Sequence, residues 1–521
     1  MHADSYSRGA SLLARMVEKS TVVLRHLAKN FAEERGFGRF LQNDNVSVSD
    51  VLSVFRPAIR SNIETQHVLI LQDTTKMNFG LNSARIVKTG KKGSKNSNNE
   101  EDLSFFAHPA IALNAADGGC LGLGAVEVYQ EAMYQPTTDE QAKAASSLLK
   151  SQTKKAQNLG ADGQTLTSGI SQTAILARAR KTHADKLPFE SKNRYRWLST
   201  ALTAADYYQK AAKRTVVADS EGDIYQVFSG LQAKSVDFVI RSCQDRYLDE
   251  TQSATTLRDQ AGQWDVQCCY KVPLPATDKR SAHTAILQVS YHKVVIACPK
   301  HLKEREAKKA KNTPKDEQDE QNTPVPSNIT MYAVYVREAN ESVVNNEAPI
   351  DWLLLTSHPI ENCEQALEII QFYRWRWVIE QIFRTMKSQG LDIQQSTVKE
   401  HEGRVKLAVL ALIAATQILQ LVQARDGKTD QSIQETFDDI EIQAIHQINT
   451  QLEGKTQKQK NPHSPKSLAF AVWVIARLGG WKPDASPRPP GPITILNGFI
   501  IFHNMMMGVR LKIEPIFQRT L

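Results

Sequence analysis

The sequence predicts an α/β protein, with a mixed sheet flanked by helices, a helical N-terminal module, a β-rich insertion and a helical C-terminal region. Three observations predict it. Short continuous apolar runs, such as Val68-Leu69-Ile70-Leu71 and Val216-Val217-Ala218, read as strands covered on both faces. The strand–helix–strand spacing between Thr215 and Arg241 favours parallel pairing through a right-handed crossover. Asp117-Gly118-Gly119 joins two further strand-like runs as a hairpin, so antiparallel strands accompany the parallel ones.

Residues 1–62 read as a basic helical module, because Leu12, Leu13, Met16, Val22, Val23, Leu24 and Leu27 recur near helical spacing with Lys and Arg between them. From His67 the period becomes that of a strand, which ends in Gln72-Asp73-Thr74-Thr75. A polar loop over 88–102 follows, then strands over 110–114 and 121–129. The stretch 140–190, rich in Ser, Thr, Gln and Lys, reads as a helical or irregular surface insertion. A helix over 194–213 leads into the strand that ends on Asp219, and a helix over 224–231 and a strand over 237–241 complete the first part of the core, residues 63–246. Residues 247–358 form the β-rich insertion, which ends in the strand beginning at Trp352 and contains a charge-balanced surface loop over 300–326. A long helix over 363–386 lies in the second part of the core, 359–400. Residues 401–521 are mainly helical, with Leu407–Ala415 a buried stretch and 455–466 a basic loop.

Composition narrows the class. The 521 residues are 41% hydrophobic and 23% charged, which is globular rather than disordered or collagenous. No run reaches the ~18 uninterrupted apolar residues of a bilayer span. The start, Met1-His2-Ala3-Asp4, lacks the apolar region of a secretory signal, so a cytoplasmic location is expected. The six cysteines form no CxxC pair and no partnered His spacing, so neither a zinc site nor a disulfide framework is expected. A net charge of +8 is compatible with a polyanionic partner such as DNA and by itself decides little.

The residues that could carry chemistry are acidic. On a helical wheel Tyr373, Arg376, Glu380 and Lys387 fall within an arc of about 60°, beside a separate apolar stripe of Phe372, Trp375, Ile379, Ile382, Phe383 and Met386. Arg376 and Glu380 alone, at i,i+4, would be an ordinary surface ion pair. Asp73 alone would close an Asx-type turn, and Asp219 alone would cap a helix. If the strands ending in Asp73 and Asp219 are neighbours and the Glu380 helix crosses them, however, three carboxylates meet. They would repel one another without a positive counter-charge, and Mg²⁺ or Mn²⁺, with hard oxygen ligands and open positions, suits that role. Two such ions support in-line phosphoryl transfer.

On these residues the chain resembles the DDE transposases of the insertion-sequence-4 family, and within it the Tn5 transposase group. Asp73 in Leu-Gln-Asp-Thr-Thr and Asp219 in Val-Ala-Asp-Ser-Glu-Gly-Asp-Ile match the first two acidic positions. Tyr373-x2-Arg376-x3-Glu380-x6-Lys387 matches the Y-R-E-K signature, and Trp352-Leu-Leu-Leu-Thr-Ser and Ile475-Ala-Arg-Leu-Gly-Gly resemble further family segments. The resemblance implies an RNase H-like core, a five-stranded mixed sheet with flanking helices, interrupted by the β-rich insertion before the Glu380 helix. It implies Asp73, Asp219 and Glu380 as catalytic and metal-binding residues, with two Mg²⁺ or Mn²⁺ ions as cofactor. Tyr373, Arg376, Lys387, Trp352 and Arg241 would contact DNA, Trp352 by stacking on a flipped base. The implied activity is cut-and-paste transposition by end nicking, hairpin formation and opening, and strand transfer, performed by a homodimer on double-stranded DNA. A Gly-Asp-x-Arg-like segment of the family's N-terminal region has no counterpart before Ser11. Two alternatives stay open at this point: a catalytically inactive or truncated relative that binds DNA and inhibits, and an RNase H-like nuclease without strand transfer.

Overall fold

The computed structural model describes residues 3–56, 63–77, 104–130, 135–158, 170–249, 255–274, 276, 280–305, 325–344, 347–387, 390–425, 427, 431–485, 489–491, 494–495, 497–499, 501–502 and 505–506. The strands are β1 (His67–Gln72), β2 (Thr75–Met77), β3 (Phe105–Asn114), β4 (Cys120–Tyr129), β5 (Lys213–Ala218), β6 (Asp237–Arg241), β7 (Cys268–Leu274), β8 (His283–Ala297), β9 (Asn328–Glu338) and β10 (Asp351–Thr356). They form a single sheet in the order β2-β3-β1-β5-β6-β10-β9-β8-β7, with β4 also on β3. The β4–β3–β1 meander is antiparallel, β1, β5 and β6 run parallel, and β10 returns antiparallel to β6. The unit β4-β3-β1-β5-β6 is thus a five-stranded mixed sheet, consistent with an RNase H-like core, and the insertion strands continue it beyond β6.

Before and between the early strands lie α1 (Ala3–Lys19), α2 (Leu24–Leu27), α3 (Phe31–Gln42), α4 (Val48–Phe55), α5 (Thr138–Asn158), α6 (Gln172–Lys186), α7 (Arg196–Tyr207), α8 (Tyr225–Ala233) and α9 (Leu257–Ala261). After β10 come α10 (Cys363–Trp375), α11 (Trp377–Met386), α12 (His401–Ala424), α13 (Asp439–Leu452) and α14 (Leu468–Leu478). The core strands are apolar through their middles because both of their faces are covered. Leu69, Leu71, Val217, Val239 and Leu354 pack in one cluster with Ile369, Phe372, Ile379 and Met386 of α10 and α11. Alternate residues Val68, Ile70, Val216, Phe238 and Ile240 pack on the other face with Trp197, Ala201 and Phe228 of α7 and α8.

Helix α12 has the length and apolar composition of a membrane span, but 89% of its most apolar stretch is buried inside the protein. Residues Leu407–Ala415 are wholly buried, as their unbroken apolar run predicts. The N-terminal helices share that core: Leu12, Met16, Phe37, Phe40 and Val51 belong to the same cluster as α12. Burying each such side chain contributes about 1.5–3 kcal/mol.

Several expectations are refined. The long helix over 363–386 is two helices divided at Arg376, whose N–H turns back to Tyr373 O at 3.0 Å in an i,i+3 bond. The stretch 140–190 contains two helices, α5 and α6, which pack on each other. The polar loop over 88–102 lies outside the described residues, as does most of the loop over 300–326. The cysteine reading is corrected: Cys268, at the start of β7, is disulfide-bonded to Cys363, at the start of α10, with Cα atoms 6.3 Å apart. They stand 95 residues apart, so only tertiary packing, and no local spacing pattern, brings them together.

The β3–β4 turn needs its glycine. Gly118 has φ +73°, and a Cβ there would lie 2.6 Å from the Trp375 indole. Gly118→Ala is expected to destabilise the fold by about 1–3 kcal/mol, read as a lower denaturant midpoint.

Candidate active site

Strand register builds the site. In β1 and β5 Leu71 stands beside Val217, and in β5 and β6 Ala218 stands beside Ile240. Continued just past the strand ends, Asp73 falls beside Asp219, and Asp219 beside Arg241. The two-residue alternation of strands puts all three on the face of Leu71, Val217 and Val239, the face covered by α10 and α11. Because β10 is antiparallel to β6, its first residues Asp351 and Trp352 reach the same edge.

Arg376 ties the helices to this edge. Its Nη1 donates to Asp73 Oδ2 at 3.0 Å and its Nη2 to Glu380 Oε1 at 2.9 Å. Asp73 Oδ1 also accepts the Thr74 N–H at 2.7 Å, and Asp219 Oδ1 accepts the Glu221 N–H at 2.9 Å. Asp219 thus caps the short turn Ser220–Gly222 rather than α8, whose N-cap Ile224 makes no side-chain cap bond, and Asp73 bonds the N–H of its immediate neighbour. Burial, and next the Asp219 carboxylate, push the Asp73 pKa up from the ordinary 3.8 to about 6; the Thr74 N–H and Arg376 oppose this and Glu380 adds to it.

The remaining residues singled out in the sequence divide into two groups. Tyr373 is buried, with its ring edge-on to Trp352 at 5.5 Å between centroids. Arg241 donates to the Asp351 carbonyl at 3.3 Å, next to Trp352. These three line the acidic edge. Lys387, half-buried at the C-terminal end of α11, makes no ion pair or side-chain hydrogen bond among the described residues, and burial alone lowers its pKa.

Among the described residues, no three His, Cys, Asp or Glu side chains are gathered closely enough to hold a metal ion, and Arg376 bridges Asp73 to Glu380. The donor chemistry nevertheless suits a hard divalent cation. All the candidate ligands are carboxylate oxygens, and the repulsion between Asp73 and Asp219 is the imbalance that such a cation relieves.

Sequence reasoning missed the side chains that hold this edge in shape. Asp223 and Arg246 form a buried ion pair, and Asp223 Oδ2 also accepts the N–H groups of Cys243 and Gln244 at 2.8 and 2.7 Å. The loops after β5 and β6 are thereby locked together. Arg196 reaches Thr74 Oγ1 at 3.4 Å and Glu221 at 3.5 Å, joining the loops after β1 and β5. Both arginines are far from their partners in sequence, and no spacing signal marks them.

Ionisation of Asp73 should register in stability. Its pKa is raised in the folded state, so the native protein holds a proton that the unfolded chain has lost between about pH 4 and 6, and stability falls as pH rises through that window. The loss is expected to be on the order of 2–3 kcal/mol at most, seen as a higher melting temperature for Asp73→Asn than for wild type at pH 8 and no difference at pH 4.

Two aspartates at the ends of adjacent parallel strands, with a glutamate on a helix laid over the same edge, are the arrangement expected of a DDE protein. Residues 150–417 match the family model described as Transposase DDE domain, and the chain belongs to that family. The matched span contains Asp219, Arg241, Trp352, Tyr373, Arg376, Glu380 and Lys387 and begins after Asp73. Membership implies a DNA substrate, and the family generally uses divalent metal ions.

Proposed function

We propose that this chain is a cut-and-paste transposase of the insertion-sequence-4 family, in the Tn5 group, acting as a homodimer on paired element ends. The observation that carries the reading is the joining of Asp73 and Glu380 through Arg376, with Asp219 beside them. Asp73, Asp219 and Glu380 would hold Mg²⁺ or Mn²⁺, which when bound supplies charge neutralisation at the scissile phosphate and an activated oxygen nucleophile.

The chain's own residues have separable tasks. Arg376 orients Asp73 and Glu380 and, facing a bound strand, donates to phosphate oxygens. Tyr373 fixes the Trp352 ring, which presents an aromatic surface for an unstacked base. Arg241 and Lys387 add positive charge along the strand path. Each reaction is an in-line displacement at phosphorus. Water, or later a freed 3′-hydroxyl, gives up its proton and forms the new P–O bond while the old P–O bond breaks and the leaving oxygen takes up a proton. In functional terms we assign residues 1–62 to recognition of element ends, 63–246 and 359–400 to the catalytic core, 247–358 to the insertion and 401–521 to dimerisation.

The test is product analysis with purified protein, Mg²⁺ or Mn²⁺ and the inverted-repeat DNA that flanks its reading frame. Nicked, hairpin and strand-joined products are expected. Nicked product without hairpins or joined molecules would replace the proposal with a simple nuclease. One observation favours a second reading: Arg376 already satisfies two of the acids. DNA binding with no nicking in either metal would make the chain a non-cleaving relative.

A further inference from the structure

A second cleft opens on the opposite face of the sheet, between the start of α7, the loops after β5 and β6, and the segment after β8. It holds about 480 Å³ and is lined in part by Arg194, Arg196, Glu221, Arg246 and His301. The buried Arg246–Asp223 pair forms its floor, and Arg196 is held by Glu221 and Thr74, so these groups are preorganised. Its rim differs. Arg194 lines the cleft, Lys192 stands two residues before it, and Arg305 follows the lining residue Leu302 by about one helical turn. None of the three makes an ion pair or side-chain hydrogen bond among the described residues, and after burial the two arginines depress the Lys192 ammonium, with Asp185 opposing. Unpaired like charges held together cost free energy unless a polyanion neutralises them.

The cleft also touches the acidic edge. Ser220 and Glu221 in its wall directly follow Asp219, and Thr74, bonded to Arg196, directly follows Asp73. Arg376 and Tyr373 lie on the other face. A strand whose phosphate rests at the acids therefore has cations ahead of it on one face and behind it on the other.

We propose that this cleft is a second DNA-backbone site, in which Lys192, Arg194 and Arg305 bind phosphates on the far side of the scissile bond from those held by Arg376. The inference rests on the transposase reading for the position of the scissile bond, while its binding test does not require cleavage. The full-length protein is titrated against a labelled mixed-sequence duplex of about 30 base pairs over a range of salt concentrations. With Lys192, Arg194 and Arg305 all changed to Ala, affinity is expected to fall roughly tenfold or more near 0.15 M salt, and the slope of log K against log salt to flatten by about 2–3. An unchanged affinity and slope would overturn the cleft. Should the triple variant fail to melt cooperatively, Arg194→Glu decides, because this exposed side chain makes no contact that folding needs: weakened binding supports the site and wild-type binding removes it. Asp73→Asn, measured alongside, is expected to bind with the wild-type slope. If it also nicks like wild type, the transposase assignment of Asp73 falls while the binding result for the cleft stands.

Discussion

Asp73→Asn is expected to abolish metal-dependent nicking, by roughly a thousandfold or more, while leaving a folded protein that still binds DNA. The substitution is nearly isosteric and retains an oxygen to accept the Thr74 N–H. It removes the charge that pairs with Arg376 and repels Asp219, and hence the capacity to share a divalent cation. The several kcal/mol that a bound cation contributes to a phosphoryl-transfer transition state would go with it. Because burial and Asp219 make this carboxylate costly to ionise, the variant should melt above wild type at pH 8 even as activity disappears. Wild-type nicking by Asp73→Asn would sink the assignment. A parallel loss of folding would leave the decision to Glu380→Gln, a half-exposed position on α11.

Asp223→Ala should give the largest loss of stability of any single polar substitution at this edge. The Asp223 side chain is wholly buried, and its removal leaves the Arg246 guanidinium and two backbone N–H groups without their carboxylate partner. Breaking such a pair from one side costs about 3–5 kcal/mol. Chemical denaturation measures it directly. Since the same carboxylate locks the loops that follow Asp219 and Arg241, cleavage should fall as well, even well below the melting temperature. A change of less than about 1 kcal/mol would show that the pair does not hold the edge.

The sheet was legible because its strands are buried on both faces: Val68–Leu71, Val216–Ala218 and Phe238–Ile240 stand out as unbroken apolar runs at the right spacing. The helical wheel around Glu380 likewise separates the apolar stripe from Arg376 and Glu380, which pair with each other, whereas Tyr373 is buried in the same cluster as the stripe. What stayed hidden depends on contacts between distant segments. Arg376 breaking its helix and reaching Asp73, Asp223 meeting Arg246, and Cys268 meeting Cys363 are all decided by tertiary proximity, to which periodicity is blind. Lys387, on the same arc of the wheel two turns on, is half-buried and makes no ion pair or side-chain hydrogen bond among the described residues.

Helix α12 is sheathed by segments from both ends of the chain. A protein assembled this way cannot shed its first fifty residues and keep a soluble remainder, because the uncovered flank would be an oily strip seeking another surface. Exchange of the leading helices between relatives should therefore succeed only when the ridge that meets this central rod travels with them.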